Sequence, residues 1–402
     1  RGATVEPPRL IPTPNAQPWE GAAQQTGALP LLATAGDAAT MRQFCRRLHF
    51  RCPTCSEALL PRSNGIGTPA TELACAQGHT VSVAANGHVH LLPTGRKPRK
   101  TATAQGDSDA SIRARRSFFD AGGYAAPVRA VAAETLRALV SQPRAGGERN
   151  VLDAGCGEGA YLRALEEASA AATAALPHMQ LWGTDISKLA VRLSARRQRA
   201  ANFAVSRSSR LPFGDGTLDA VLSCFAPVDW AELTRVLRPG GALLVVRGGP
   251  DHLVGLKALV YDASGLAFKA AQAQLGRAPT PPTPPHAPMV GRGGGSLPPV
   301  LPPPRLRLER QVRVRTVERF EGAAAESLLP MTPFYWKATR EKQRDIGIRA
   351  SSEGIETAVD FECFTYRAAC DGGDESRRRK DLGLDYRWVD TPHEWDQHSH
   401  KV

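Results

Sequence analysis

The fold of this chain is decided by Val151-Leu152-Asp153-Ala154-Gly155-Cys156-Gly157-Glu158-Gly159. Apolar residues ending in an acid, then glycine at every second position, then a helical apolar pattern predict the strand, turn and helix of a Rossmann-like unit. Glycine lets the backbone of such a turn approach a ligand, because a Cβ would clash or forbid the dihedrals. The stretch therefore predicts an α/β fold with a nucleotide-type site at the turn.

Acidic residues around this turn distinguish between cofactors. Asp185 ends the next predicted strand, where a carboxylate can accept both hydroxyls of a ribose. Asp153 ends the first strand, and Glu158 lies inside the turn, where it would repel a pyrophosphate but can face a cation. S-adenosylmethionine, with its sulfonium and amino group, therefore fits better than NAD. The alternative is a glycine-rich turn in a purely structural α/β domain.

Strand-like and helix-like segments alternate through residues 128–246, which predicts a doubly wound sheet. The segment Ala226-Pro227 follows the predicted fourth strand. Open α/β sheets bind ligands at that edge. The pattern therefore places Ala226-Pro227 at the ligand-binding edge of the sheet.

A second motif precedes this domain. Cys52 and Cys55 are separated by two residues, and Cys75 and His79 by three. Two such knuckles supply the four ligands of a tetrahedral zinc site, and a closed four-ligand site is structural. A redox Cys-x2-Cys would leave the second knuckle unexplained. The short alternating segments that follow are typical of a zinc ribbon, and strand alternation directs His88 and His90 away from the site.

Composition and charge favour a polyanionic partner in a reducing compartment. The formal net charge is +12, which favours a polyanionic partner. Nine of the 51 basic residues are lysine and the others are arginine, whose planar guanidinium can donate two hydrogen bonds to one phosphate. A GC-rich genome would also raise the arginine content. The eight cysteines form no disulfide framework for a chain this long. No run of about 18 apolar residues is present, so no membrane span is expected.

Five regions are predicted along the chain. They are a low-complexity extension at 1–45, the zinc ribbon at 46–96, a basic linker and capping segment at 97–125, the methyltransferase domain at 126–370 with a proline- and glycine-rich insertion at about 270–304, and a charged tail at 371–402.

Several further segments carry a resemblance to a family. They are Gly106-Asp107-Ser108, the segment Ala114-Arg115-Arg116-Ser117-Phe118-Phe119-Asp120-Ala121-Gly122-Gly123-Tyr124, Arg210-Leu211-Pro212-Phe213, Ala226-Pro227, His252 with the segment 256–261, and Met331-Thr332-Pro333-Phe334-Tyr335-Trp336. With the zinc quartet, these segments resemble the bacterial large-subunit ribosomal RNA guanine-N1 methyltransferases. The chain departs from that family in a longer zinc loop, in Gly123 where a histidine is common, and in its insertion and extensions.

The resemblance implies a zinc ribbon joined to a class I S-adenosylmethionine methyltransferase domain that acts on large-subunit rRNA. It implies zinc ligands at Cys52, Cys55, Cys75 and His79, and cofactor contacts at Tyr124, Gly157, Glu158 and His252. Independently of the resemblance, the glycine turn and the acids that end the strands indicate that Asp153, Gly155 and Asp185 contact the cofactor. Arg115 and Arg116 are expected to hold the RNA backbone.

Methylation at guanine N1 displaces a proton, so a positioned acceptor would assist. Asp120 is the candidate acceptor, against the alternative of a structural carboxylate. Two other functions remain open: a silent methyltransferase fold that binds the assembling large ribosomal subunit and its proteins, and a small-molecule methyltransferase. Arginine richness and the appended segments suggest a mitochondrial matrix protein, and a bacterial cytoplasmic enzyme is the alternative.

Overall fold

A computed structural model describes most of the region predicted to be folded. The described residues are 50–62, 71–92, 107–142, 147–172, 178–261, 306–369 and 385–389. The predicted extension at 1–45 and the proline-rich insertion at about 270–304 lie outside these ranges. Among the described residues, no helix is both long enough and apolar enough to cross a bilayer.

A large mixed sheet forms the centre of the molecule, with strand order β12-β10-β11-β9-β8-β5-β6-β7-β4. Its strands are β4 (Val89–His90), β5 (Arg149–Ala154), β6 (Met179–Asp185), β7 (Asn202–Val205), β8 (Leu218–Cys224), β9 (Leu237–Gly248), β10 (Leu306–Phe320), β11 (Ile355–Ala368) and β12 (Asp385–Val389). Strands β4 to β9 run parallel, whereas β11 is antiparallel to β9 and β10 is antiparallel to β11.

Helices cover this sheet. They are α1 (Asp109–Asp120), α2 (Ala125–Val140), α3 (Ala160–Ala171), α4 (Lys188–Arg197), α5 (Trp230–Val236), α6 (Val254–Val260), α7 (Gly322–Leu328) and α8 (Arg340–Ser352). Strand β8 is buried along its whole length, as expected for a parallel strand covered on both faces. The predicted doubly wound α/β fold is confirmed.

The order of the strands reverses at β5. The next strand along the chain, β6, lies on one side of β5, and β8 lies on the other. A crevice opens at such a switch point beyond the carboxyl ends of the strands. The glycine turn at residues 155–159 lies there.

The zinc ribbon is built into the same body. Strands β1 (Leu60–Pro61), β2 (Glu72–Ala74) and β3 (Thr80–Ser82) form a small antiparallel sheet. Short alternating strands were predicted after the second knuckle, and Val89 of β4 does bridge Val83 of the ribbon. The same strand also pairs in parallel with β7 of the large sheet. The ring of Phe50 packs edge-on against Trp182, with centroids 4.9 Å apart. The ribbon therefore extends the methyltransferase core.

The opposite edge of the sheet also differs from expectation. Residues 371–402 were predicted to be a charged tail, yet β12 within them pairs in parallel with β10, aligning Arg310 with Asp385. Pairing partners so distant in sequence leave no local pattern, which explains the missed strand.

Candidate active site

Three glycines of the turn adopt backbone angles that other residues rarely reach. Gly155, Gly157 and Gly159 have φ of +88°, +54° and +90°. A Cβ at Gly155 would lie 2.5 Å from the Cβ of Ala226, far inside contact distance. The turn therefore requires glycine here both for its dihedral angle and for the approach of the loop after β8.

Two carboxylates border the turn, as predicted. Both oxygens of Asp153 lack a hydrogen-bond partner among the described residues, and the side chain is fully buried. Burial, with a smaller effect of Asp185, raises the pKa of Asp153 to about 8. Asp185 accepts from the backbone N–H groups of Gly157 at 3.0 Å and Ser187 at 2.8 Å. These carboxylates suit a ligand that carries positive charge and hydroxyl donors.

Glu158, expected to contact the cofactor, lies close to two arginines. Its side chain is buried, and its Oε2 lies 3.7 Å from the Nη1 atoms of both Arg116 and Arg197. The two guanidinium groups compensate its charge from within the protein. Asp153 and Asp185 have no such ion pair among the described residues, although neither oxygen of Glu158 has a hydrogen-bond partner there either.

The same two arginines hold Asp120. The Arg116 Nε donates to Asp120 at 2.9 Å, and Arg197 donates to its other oxygen. Partial burial raises the pKa of Asp120, but the hydrogen bonds from Arg197 and Arg116 outweigh it and leave the pKa below its usual value. A carboxylate held in this way is a weak base. The geometry therefore corrects our choice of Asp120 as proton acceptor in favour of the structural alternative.

Arg115 and Arg116 were expected to face RNA, but both are engaged within the protein. The Nη2 of Arg115 pairs with Asp107 at 2.5 Å and donates to the carbonyl oxygen of Met331 at 3.4 Å. Its Nη1 lies 3.7 Å from the position that a Cβ at Gly157 would take. These contacts hold α1 beside the glycine turn, and they engage within the protein both guanidinium groups that we expected to face RNA.

Tyr124 and His252, both expected to contact the cofactor, contact each other. The Tyr124 hydroxyl lies 3.5 Å from His252 Nε2. The backbone N–H of Asp360 donates to His252 Nδ1 at 3.3 Å, so Nδ1 is unprotonated and the neutral ring carries its proton on Nε2. Burial and the nearby Lys257 lower the pKa of His252 to about 3. Tyr124 accepts from this ring and keeps its own hydroxyl proton for a ligand.

Sequence reasoning missed Phe225, which directly follows β8. Its φ of +53° is unusual for an aromatic residue, and its ring is 47% exposed. The ring packs against Phe361 and His252, with centroids 4.8 and 5.5 Å away. An aromatic residue held in a strained conformation at the carboxyl end of a central strand marks a functional position. Phe225 could have been found from the sequence, because it directly precedes Ala226-Pro227, which was expected at the ligand-binding edge of the sheet.

Gly123, which replaces a histidine common in the resembled family, has a structural partner. A Cβ there would lie 2.2 Å from the ring of Phe118. Phe118 is fully buried and packs against Tyr124 with centroids 4.7 Å apart. The ring occupies the space that a side chain at position 123 would need.

The four predicted metal ligands converge. The ligand atoms of Cys52, Cys55, Cys75 and His79 all lie within 4.8 Å of one another. The Cys75 Sγ lies 3.5 Å from the Cys55 Sγ and 3.4 Å from the His79 Nδ1. Such separations fit a tetrahedral ion with metal–sulfur bonds of about 2.3 Å. This cluster does not include His88 or His90.

Comparison with known proteins agrees first on the class. A family model described as "Methyltransferase domain" matches residues 152–245, which run from β5 to β9 and include the glycine turn. The chain therefore has the Rossmann-like fold of class I S-adenosylmethionine methyltransferases.

Individual relatives identify the family within this class of methyltransferases. A putative 23S rRNA (guanine-N(1)-)-methyltransferase of Micromonospora griseorubida is 37% identical over 217 residues, covering 52% of this chain and 68% of that protein. The 23S rRNA (guanine(748)-N(1))-methyltransferase of Streptomyces fradiae is 38% identical, covering 54% of this chain and 68% of that protein. The putative 23S rRNA (guanine-N(1)-)-methyltransferase YxjB of Bacillus subtilis is 29% identical, covering 78% and 95%. The chain belongs to the 23S rRNA (guanine-N1)-methyltransferase family, which confirms the resemblance.

Proposed function

We propose that this protein transfers a methyl group from S-adenosylmethionine to N1 of a guanine in large-subunit ribosomal RNA. The observation that carries the proposal is the intact glycine turn with the buried, unpartnered Asp153 beneath it and Asp185 beside it, in a chain of this family. Burial keeps Asp153 protonated in the free protein at neutral pH, and a cationic ligand would favour its charged form.

The cofactor site divides into parts with separate tasks. S-adenosylmethionine, when bound, supplies a methyl group that its sulfonium already activates. Asp185 is held by two backbone N–H groups and presents its remaining lone pairs to ribose hydroxyls. Asp153 supplies negative charge beneath the turn, and the Tyr124 hydroxyl supplies a donor. With the cofactor so oriented, the protein's main remaining task is alignment and exclusion of water.

Phe225 is the residue that we assign to the target base. A guanine presents an apolar face, and a base stacks on an exposed aromatic ring with about 1–3 kcal/mol. The target must be taken from a loop or flipped out of a helix, since N1 is engaged in pairing inside a duplex. The ring of Phe225 adjoins Ala226, which contacts the turn. A stacked base would therefore lie beside the cofactor.

The test is methyl transfer from radiolabelled S-adenosylmethionine to large-subunit rRNA or its assembling particle, with primer extension to find the modified guanine. We expect a stop that disappears in Asp185→Ala. Particle binding and cofactor binding without any methyl transfer would instead establish a silent assembly factor. Transfer to a position other than guanine N1 would refute the assigned substrate.

We further propose that the ribbon binds one structural Zn²⁺ through its Cys3His cluster. Elemental analysis should give one zinc per chain, and Cys75→Ser should lose it together with thermal stability. Retained metal in that variant would contradict the assignment, and Cys156→Ser, a buried cysteine outside the cluster, is the control.

The assembling large subunit and its proteins remain proposed partners, and the mitochondrial matrix remains the proposed location. The support is the arginine-rich composition and the proline-rich insertion. Co-sedimentation with large-subunit precursors and fractionation of cells test the two proposals separately.

A further inference from the structure

Helix α4 carries a row of positive charges that the reaction chemistry does not use. Lys188, Arg192, Arg196 and Arg199 are all exposed and recur at intervals of four, four and three residues. This spacing aligns them along one side of the helix, with Arg199 just beyond its end. We call these four residues the α4 basic row.

The charges of this row are not balanced locally. Helix α4 contains no acidic residue, and within the described part of the chain none of the four cations has a carboxylate within 4 Å. Helix α8 is different, because Glu341 and Asp345 alternate with its arginines and Arg349 pairs with Glu353 at 3.5 Å. Like charges four residues apart destabilise a helix. A polyanion on the row would relieve that repulsion.

The opposite side of α4 reaches the cofactor site. Ser194 Oγ donates to the carbonyl oxygen of Gly157 at 2.9 Å, and Arg197 approaches Glu158. The row is thus carried by the same rigid helix that supports the glycine turn. A backbone held on it would be fixed relative to the reaction centre.

The zinc ribbon continues this surface. Strand β4 pairs with β7, and burial lowers the pKa of His88 and His90, with Arg192 and Lys188 lowering it further. The Lys188 and Arg192 end of the row therefore lies beside the junction between the ribbon and the methyltransferase domain. At a rise of 1.5 Å per residue, Lys188 to Arg196 spans about 12 Å.

We propose that the α4 basic row holds the phosphate backbone of the RNA substrate along the junction of the ribbon with the catalytic domain. The proposal rests on the proposed function and adds the surface by which the RNA is held. It replaces Arg115 and Arg116, which are engaged internally, as the backbone contact.

The test uses the full chain with Lys188→Gln, Arg192→Gln and Arg196→Gln combined. The control combines Arg340→Gln, Arg344→Gln and Arg349→Gln on α8, which removes the same charge from exposed positions of another helix. Binding of a labelled large-subunit rRNA hairpin is measured between 50 and 200 mM KCl. Each lost phosphate contact lowers the slope of log affinity against log salt by about 0.7–0.9, so we expect a decrease of about 2–3 for the α4 variant alone.

Thermal unfolding and S-adenosylhomocysteine binding establish that both variants are folded. The single variant Arg192→Glu provides a second, independent measurement of how the row affects RNA affinity. Equal slopes in the α4 and α8 variants, or an unchanged slope in the α4 variant, would overturn the proposal while leaving methyl transfer intact. Failure of the unmodified protein to bind or methylate any rRNA would instead reject the proposed function itself.

Discussion

Replacing Gly155 with alanine tests whether the turn is shaped by contact as well as by dihedral angle. At φ +88° an alanine pays about 1–2 kcal/mol of backbone strain. Its Cβ would also lie 2.5 Å from that of Ala226, so one of the two segments must move by about 1 Å, and such overpacking costs about 1–3 kcal/mol. We expect a total loss of about 2–5 kcal/mol of unfolding free energy and weaker S-adenosylhomocysteine binding.

Gly122→Ala is the matched control. Its φ is +83°, nearly that of Gly155, but a Cβ there would meet nothing within 4 Å. The control should therefore lose only the strain term of about 1–2 kcal/mol. Urea denaturation and calorimetric binding of S-adenosylhomocysteine measure both variants. Equal losses of stability in the two variants, with cofactor affinity unaffected, would refute the role assigned to the contact with Ala226.

Three further outcomes follow from the site. Phe225→Ala should lower kcat/KM for RNA about 10- to 100-fold through lost stacking, with unchanged S-adenosylhomocysteine affinity, whereas Phe225→Tyr retains activity; an equal loss in both would contradict stacking. Because the pKa of Asp153 is raised to about 8, the free protein holds a proton there at neutral pH. Cation binding favours the charged form, so S-adenosylmethionine should bind more tightly as pH rises from 6 to 8 and release a proton, seen by calorimetry in two buffers; Asp153→Asn should bind with no such pH dependence. Asp120→Asn should keep kcat within a few-fold, whereas a loss of about 100-fold or more would restore Asp120 as the proton acceptor.

The parts of the fold that could be predicted are those whose signal is local. Three features are recognisable from a few consecutive residues: the apolar strand before Asp153, the glycine turn and the Cys-x2-Cys knuckle. The doubly wound sheet follows from the alternation of strands with helices. The site acids Asp153 and Asp185 were found in this way.

The missed features depend on partners distant in sequence. The sequence shows Arg116 and Arg197 as charges but not that both converge on Asp120 and Glu158. We therefore expected the Arg116 guanidinium to face RNA, although it pairs with carboxylates of the protein itself. Phe225 was missed because its exposure and its φ are set by packing against Phe361.

The pairing of β4 with β7 also bears on how the chain is made. During synthesis the ribbon emerges first, but the strand that receives Val89 and His90 follows only after β5 and β6 have left the ribosome. Until β7 has been synthesised, β4 has no strand of the large sheet to pair with. Until β4 pairs, one edge of β7 is open to pairing with other chains. If the Cys3His cluster holds the proposed zinc, a lack of zinc would leave this edge of β7 unpaired, and we expect less soluble protein to be recovered.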